Sequence, residues 1–196
     1  MIHNCVKRRK PLNVRIEGAV AHVTVSGKTF RLDAADLPLL DGWTLNVSQY
    51  GYIIVIGTRR VQPMFRAHLS RVLTGAPSGT EVDHISGDPM DNRRCNLRIC
   101  TRVENSRNTK SHAQGRARYK GCSYNKSQGG KRKWKAELHD QGTRHYLGHF
   151  LTAPEAARAY NAKAIEVFGE FARINVIDTP GCTTTPAQLR AEGDAI

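Results

Sequence analysis

Apolar and polar residues alternate with a period of two through most of the first sixty positions. Val20, His22 and Thr24 take one face and Ala21, Val23 and Val25 the other; Ser26-Gly27-Lys28 then turns the chain back into Thr29–Leu32. That is the signature of a hairpin. Leu37–Leu40 is a short apolar run, and Tyr52–Ile56 reads as a second strand closed by Gly57. The core expected for this β-rich lead-in is Val23, Val25, Trp43, Tyr52, Ile54 and Ile56. Beyond it, Phe65, Leu69, Val72 and Leu73 fall at helical spacing and predict a helix over Phe65–Leu73, stopped by Gly75-Ala76-Pro77. His68 on that segment reads as a surface or half-buried histidine.

A second patterned region runs from Tyr119 to Val176. Ser123–Asn125, Trp134–His139 and Arg144–Phe150 read as three strands, with turns at Gly129-Gly130 and Gln141-Gly142. Thr152-Ala153-Pro154-Glu155 fits a helix start, with a capping box and a proline in the first turn. Ala157, Tyr160, Ala164, Val167 and Phe168 form its apolar stripe, and Gly169 ends it. Three strands backed by one helix leave the other sheet face open. After Ile177 the pattern lapses into Pro, Gly and Thr with a net charge of −2, a composition that predicts disorder.

Charge changes the picture. The 196 residues carry 30 Lys and Arg against 17 Asp and Glu, a formal +13. Such a balance favours a polyanionic partner, because each neutralised phosphate releases counterions. Twelve of the cations and five of the acids lie between Gly115 and Ile177, a net +7. Lys131, Arg132, Lys133, Lys135 and Arg144 crowd the strands there, so the open face is expected to be basic and to suit the major groove of duplex DNA. Lys7–Lys10 is either a solvated terminus or a phosphate-contacting arm. No apolar run approaches the roughly 18 residues of a membrane span, and no secretory signal opens the chain. Five cysteines without a CxxC pair read as reduced thiols in a cytosolic setting; a zinc site from Cys95 and Cys100 is disfavoured by their spacing.

Candidate chemistry concentrates in Val82–Asn108, VDHISGDPMDNRRCNLRICTRVENSRN. His84 has the pKa range of a general base near neutrality. Asp83 is a hard oxygen ligand, as are the amide oxygens of Asn105 and Asn108, and such donors suit Mg²⁺ or Mn²⁺ better than Zn²⁺. Thr101 and Glu104 fit a capping box at a helix start, which would put Asn105 in the first turns and Asn108 on the same face. Gly87-Asp88-Pro89 and Asp91-Asn92 are turn residues, and Asn96 in that loop is better suited to bonding backbone groups than to binding a metal. Taken alone, an Asp-His pair is as readily a surface turn as a catalytic site.

The spacing decides between them. Asp-His, a Gly-Asp turn, Asp91-Asn92, Asn96-Leu97-Arg98 and Thr101-x-x-Glu104-Asn105 together resemble the HNH nuclease family, in the branch typical of phage and intron-borne homing endonucleases. The likeness covers about Phe65 to Lys110. It implies a two-stranded hairpin and a helix clasping one divalent cation, Mg²⁺ or Mn²⁺. In that arrangement Asp83 and Asn105 are metal ligands, His84 is the general base, Asn96 ties the loop together and Asn108 neighbours the site. Ser70-Arg71 stands where the family often has His-Arg; either His68 substitutes or a supporting contact is missing.

The C-terminal region is similar to the APETALA2/ethylene-response-factor DNA-binding domain. The likeness rests on Tyr119-Lys120-Gly121-Cys122, Lys133–Glu137, Tyr146–Phe150, Glu155–Tyr160 and Ala172–Asn175. By position it implies DNA contacts at Lys120, Gly121, Lys133, Glu137, Arg144 and Tyr146, to which the basic cluster adds Lys131 and Lys135. Ser123 and His139 replace family arginines, so the base preference of the plant domains does not transfer. Trp134 and Tyr146 fit sheet core as well as DNA contact.

The expected fold class is α+β: a β-rich lead-in (1–64), a ββα-metal nuclease motif (65–112), a basic linker (113–118), a three-stranded antiparallel sheet packed on one helix (119–177) and a disordered tail (178–196). The expected function is a metal-dependent endonuclease acting on double-stranded DNA. Such a chain is expected to be a monomer without membrane contact, in the cytoplasm of a bacterial host and encoded by a phage or mobile element. Its rival is a non-catalytic DNA-binding regulator with a decayed nuclease motif. RNA binding is disfavoured, because the strands lack the stacked aromatics of single-strand readers.

Overall fold

Local antiparallel pairing accounts for most of the architecture. In the computed structural model, which describes residues 12–58, 61–109, 118–125, 131 and 133–177 (58 and 61–64 by backbone only), four small antiparallel sheets are joined by few helices. The mixed α and β class follows from them. The expected arm at Lys7–Lys10, most of the linker, the Gly129-Gly130 turn and the tail lie outside the described residues. Two units are distinguished, Met1–Arg102 and Val103–Ile196.

In the first unit, β1 (Asn13–Glu17), β2 (Val20–Val25) and β3 (Lys28–Asp33) form one sheet in that order. Val25 pairs with Lys28 across the Ser26-Gly27 turn, where both residues take positive φ (49° and 77°). Two left-handed residues are what a two-residue hairpin matched to strand twist requires. The Leu37–Leu40 run lies in a 3₁₀ segment, Ala34–Leu40. A second sheet follows: β4 (Thr44–Val47), β5 (Ile53–Thr58) and β6 (Val61–His68).

The expected helix over Phe65–Leu73 is half right. Residues 65–68 finish β6, with Ile54 opposite His68, Val55 opposite Ala67 and Ile56 opposite Arg66. Only Leu69–Thr74 is helical (α1), with His68 as its N-cap. Phe65 and Ala67 also alternate with Arg66 and His68, and ladder bonds to β5 favour that period over the helical one. Gly75 closes α1 at φ 63°, ψ 28°, a left-handed cap.

The core of this unit is Ala21, Val23, Phe30, Leu32, Leu40, Ile53, Val55, Leu69, Leu73 and Leu97. Of the residues expected there, Val23 is fully buried, while Val25 and Trp43 pack at its margin. On β5, Ile53 and Val55 enter the core instead of Tyr52 and Ile56. Ile54 is buried too. Both faces of this central strand are covered, so alternation could not tell which face met the core.

A third sheet is the hairpin β7 (Glu81–His84) and β8 (Leu97–Cys100), preceded by a 3₁₀ turn at Arg94–Asn96. Then comes α2 (Arg102–Arg107). It is shorter than expected, and Asn108 lies beyond its end rather than on a shared helical face. Asn108 N–H bonds to the Asn105 carbonyl in the tighter i→i+3 fashion, while the Ser106 and Thr109 hydroxyls bond to helix carbonyls at Val103 and Ser106. Such side-chain competition ends short helices.

The second unit has β9 (Cys122–Tyr124), β10 (Trp134–Asp140) and β11 (Thr143–Phe150) in the order β11-β10-β9, with α3 (Ala153–Phe168) packed on one face. Thr152 Oγ1 accepts from Glu155 N–H at 3.3 Å, the N-cap bond that the sequence predicts, while Glu155 Oε2 accepts from Leu151 N–H at 3.2 Å, one residue before the N-cap that a capping box would bond. Ala136 and Leu138 face Ala156, Ala157, Tyr160, Ala164 and Phe168. Trp134 belongs to this side, edge-on to Tyr124 at 5.1 Å. Tyr146, 54% exposed, lies on the other.

Candidate functional site

Hairpin β7–β8 builds the first part of the site. Asp83 stands opposite Arg98 and His84 opposite Leu97, so the Asp and Arg side chains share one face of the ladder. Asp83 and His84 are both buried, at 6% and 5% exposure. Arg98 Nε and Nη2 converge on Asp83 Oδ2 at 3.0 and 2.6 Å. An ionised carboxylate removed from water needs such a partner.

His84 sits between an amide and a ring. Its Nε2 lies 3.3 Å from Asn92 Oδ1, and its ring is tilted against Tyr52 at 5.8 Å between centroids. Tyr52 in turn stacks on His68 at 5.1 Å. Burial lowers the His84 pKa below the ordinary histidine value; the bond to Asn92 and the charges of Asp83, Asp88 and Asp91 oppose this in part. The imidazole is therefore neutral at physiological pH, the state in which it accepts a proton.

Asn96 closes the loop between the strands. Its Oδ1 accepts from Ser86 N–H at 2.9 Å, its Nδ2 donates to the Asp91 carbonyl at 2.7 Å, and its own carbonyl accepts from Ile85 N–H at 2.9 Å. These are bonds to backbone groups, which pin both ends of the loop. At Ser70-Arg71, Ser70 is buried on α1, while Arg71 donates to the carbonyls of Ala76, Pro77 and Thr80 and orders the approach to β7. His68 pKa is lowered by burial and by the charges of Arg71 and Arg66.

The structure thus brings Asp83, His84 and Asn96 together in the first unit. Asn105, on α2, and Asn108 belong to the second. Among the described residues no group of three His, Cys, Asp or Glu side chains could hold a metal ion. Cys95 is exposed, and Cys100 is a buried free thiol.

In the second unit the open sheet face carries Lys135, Glu137, His139, Arg144, Tyr146 and His149, by their alternation with the buried Ala136 and Leu138 and by their cross-strand pairing. Glu137 accepts ion pairs from Lys135 (3.1 Å) and Arg144 (2.9 Å). Burial alone would raise its pKa, but these partners outweigh it and hold the carboxyl below its ordinary value. Lys131 is exposed and Lys133 partly so. Lys120 is different: its ammonium donates to the carbonyls of Arg107 (2.6 Å) and Thr109 (2.9 Å) at the end of α2, and burial lowers its pKa to about 8. Gly121 (φ 73°) packs against the Tyr160 ring, and a Cβ there would lie 2.7 Å from the Glu137 carbonyl. Both positions have an internal task that their place in a basic run does not reveal.

Two groups escaped the sequence reading. Asn92 was legible as a turn residue and as half of the Asp-Asn pair in the family pattern, but not as a partner of His84, which it faces at 1% exposure. Tyr146 Oη lies 2.5 Å from His149 Nδ1, and His149 was not a candidate at all. An aromatic and a histidine three residues apart on a strand carry no distinctive signal.

Comparison with known proteins matches residues 74–107 to the HNH endonuclease family. The chain is 30% identical over 165 residues to an uncharacterized HNH endonuclease of Acanthamoeba polyphaga mimivirus, covering 82% of this chain and 83% of the other. It is 40% identical over 70 residues to dehydration-responsive element-binding protein 2A of Oryza sativa subsp. indica, covering 32% and 26% of the two chains. Against protein 3.8 of Escherichia phage T7, identity is 30% over 97 residues, covering 50% and 77%. No solved structure matches.

Proposed function

This chain belongs to the HNH endonuclease family, and from that premise we propose that it is a metal-dependent endonuclease hydrolysing phosphodiester bonds in duplex DNA. One observation carries the reading: Asp83 and His84, adjacent on β7, are both buried, one fixed by Arg98 and the other faced by Asn92. A charge and a base are kept out of water side by side, at a cost in folding free energy that chemistry explains and packing does not.

In this proposal His84 takes a proton from the attacking water, and Asn96 keeps the loop behind it closed. Asp83 and Asn105 are the proposed ligands of one divalent cation. Their carboxylate and amide oxygens are hard donors, and Mg²⁺ or Mn²⁺ commonly takes only one or two protein oxygens, with waters and substrate phosphates completing the shell. When bound, the cation supplies Lewis-acid stabilisation of the charge on the phosphate and the departing 3′ oxygen.

Residues 65–112 are the proposed nuclease motif, with residues 119–177 as the module that holds DNA. Lys131, Lys133, Lys135 and Arg144 would meet phosphates, and Glu137 and Tyr146 would lie against the duplex. Lys120 and Gly121 would shape the edge of that face. The rice relative is named for binding a responsive element, and the similarity to it supports this module as a DNA reader. No described helix is long and apolar enough to cross a membrane. Relatives from a mimivirus and a phage support a phage or mobile-element gene; a product that acts as a monomer in the cytoplasm of a bacterial host belongs to the same proposal.

Ser70 favours a second reading, a DNA-binding regulator whose nuclease motif has decayed. Plasmid incubated with Mg²⁺ or Mn²⁺ separates the two. Nicking by the wild type that is lost in His84→Ala and in Asp83→Ala is expected; equal absence of nicks in all three proteins, across cations and sequences, leaves the regulator.

A further inference from the structure

The N-terminal sheet carries no catalytic signature in its sequence, yet one of its strands borders the loop that faces His84. Arg31 on β3 donates its backbone N–H to the Met90 carbonyl at 2.8 Å, and its own carbonyl accepts from Asn92 N–H at 2.7 Å. These bonds flank a parallel bridge between Arg31 and Asp91. The Arg31 guanidinium adds ion pairs to Asp88 and Asp91, each at 3.2 Å. Nearby, Arg94 is held to Asp33 through its backbone N–H and to Asp36 through its guanidinium. The loop is therefore stitched to β3 and to the 3₁₀ segment after it.

Asn92 turns that stitching into chemistry. Its amide ends are distinguishable, because Nδ2 donates to the Pro89 carbonyl at 3.1 Å. The other end, Oδ1, can only accept, and it faces His84 Nε2 at 3.3 Å. An acceptor opposite a ring nitrogen is satisfied only if that nitrogen carries the hydrogen. A neutral imidazole has one such hydrogen, so the basic lone pair is then on Nδ1.

We propose that Asn92 is a positioning residue that holds His84 as the Nε2–H tautomer with Nδ1 basic, and that β3 at Arg31 holds Asn92 in place. The lead-in is then the scaffold of the base. This rests on His84 being the base, but its physical content can be tested without any cleavage. In ¹⁵N-labelled full-length protein at about pH 8, where imidazole is neutral, the His84 ring shifts are expected to report a protonated Nε2. Its Hε2 resonance should be protected from solvent. Asn92→Asp keeps an acceptor at that point and should retain the resonance; Asn92→Leu should lose it. The Asn92 backbone amide should exchange slowly, because it is bonded to β3.

If the proteins cleave, Asn92→Leu should lower kcat by about tenfold or more while leaving DNA affinity unchanged, the loss expected when a catalytic imidazole is left unoriented. A proton on Nδ1 in the wild type overturns the proposal, as does an Hε2 resonance unchanged in Asn92→Leu. Rapid exchange of the Asn92 amide overturns the role of β3. A wild type with the expected spectrum and no nicking sinks the nuclease reading and leaves the Asn92–His84 pairing standing. Because the wild-type spectrum and Asn92→Asp both bear on the outcome, the test survives a leucine variant that does not fold.

Discussion

Arg98 reaches Asp83 directly across the β7–β8 ladder, and two of its nitrogens meet on a single carboxylate oxygen, with Asp83 buried and the Arg98 side chain 10% exposed. Breaking a buried pair by removing one partner strands the other charge, at a cost of about 3 kcal/mol or more. Arg98→Met is therefore expected to lower the melting temperature of the protein sharply. If Asp83 is a metal ligand, Mn²⁺ should raise the melting temperature of Arg98→Met more than that of the wild type, since the cation can replace the missing positive charge. Equal Mn²⁺ responses in the two proteins count against Asp83 as a ligand.

Gly121 occupies a position that no side chain fits. Its φ of 73° disfavours L residues, and a Cβ would press on the Tyr160 ring and the Glu137 carbonyl. Gly121→Ala should cost about 3 kcal/mol through strain and overpacking. Thermal unfolding followed by circular dichroism measures it. A variant as stable as the wild type would return Gly121 to a purely DNA-facing role.

Lys120 ties the sign of a pH effect to its burial. Its pKa in the folded chain is about 8, below the ordinary 10.5. Between those values the unfolded chain holds the proton and the folded chain does not, so stability rises with pH across that window. Below about pH 8 the burden of the buried ammonium is fully present. The neutral amine still has two hydrogens for the Arg107 and Thr109 carbonyls. Urea denaturation of the wild type from pH 8 to 10 should show a gain over Lys120→Met, whose own profile lacks this contribution. Parallel profiles would place the lysine pKa near its usual value.

The open sheet face predicts a salt dependence. Neutralising Lys131, Lys133 and Arg144 together should weaken binding to any duplex. The slope of log affinity against log salt should fall by about 0.9 for each phosphate that no longer meets a cation. Arg144 also shields Glu137 (2.9 Å), so its removal should weaken binding further through exposed negative charge. Unchanged affinity and slope would move the DNA surface elsewhere.

Much of this protein was legible in residue order because local rules dictate it. The Ser26-Gly27 hairpin, the Gly75 stop and the Thr152–Glu155 cap depend on backbone preferences and bonds a few residues apart, which sequence states directly. The Asp83-His84 pair and Asn96 were legible for another reason: their spacing matches a family pattern. What only the tertiary structure decided are contacts between residues far apart in the chain. Phe65–His68 became strand because β5 offered ladder bonds, and Trp134 turned inward because α3 covers its face. Lys120 met the end of α2, and Asn92 came to lie between β3 and His84. Hydrogen bonds across 61 residues, as from Arg94 to Asp33, leave no periodic trace. Residue type and local period determine which elements form; the pairing of those elements determines which polar side chains are left facing the base.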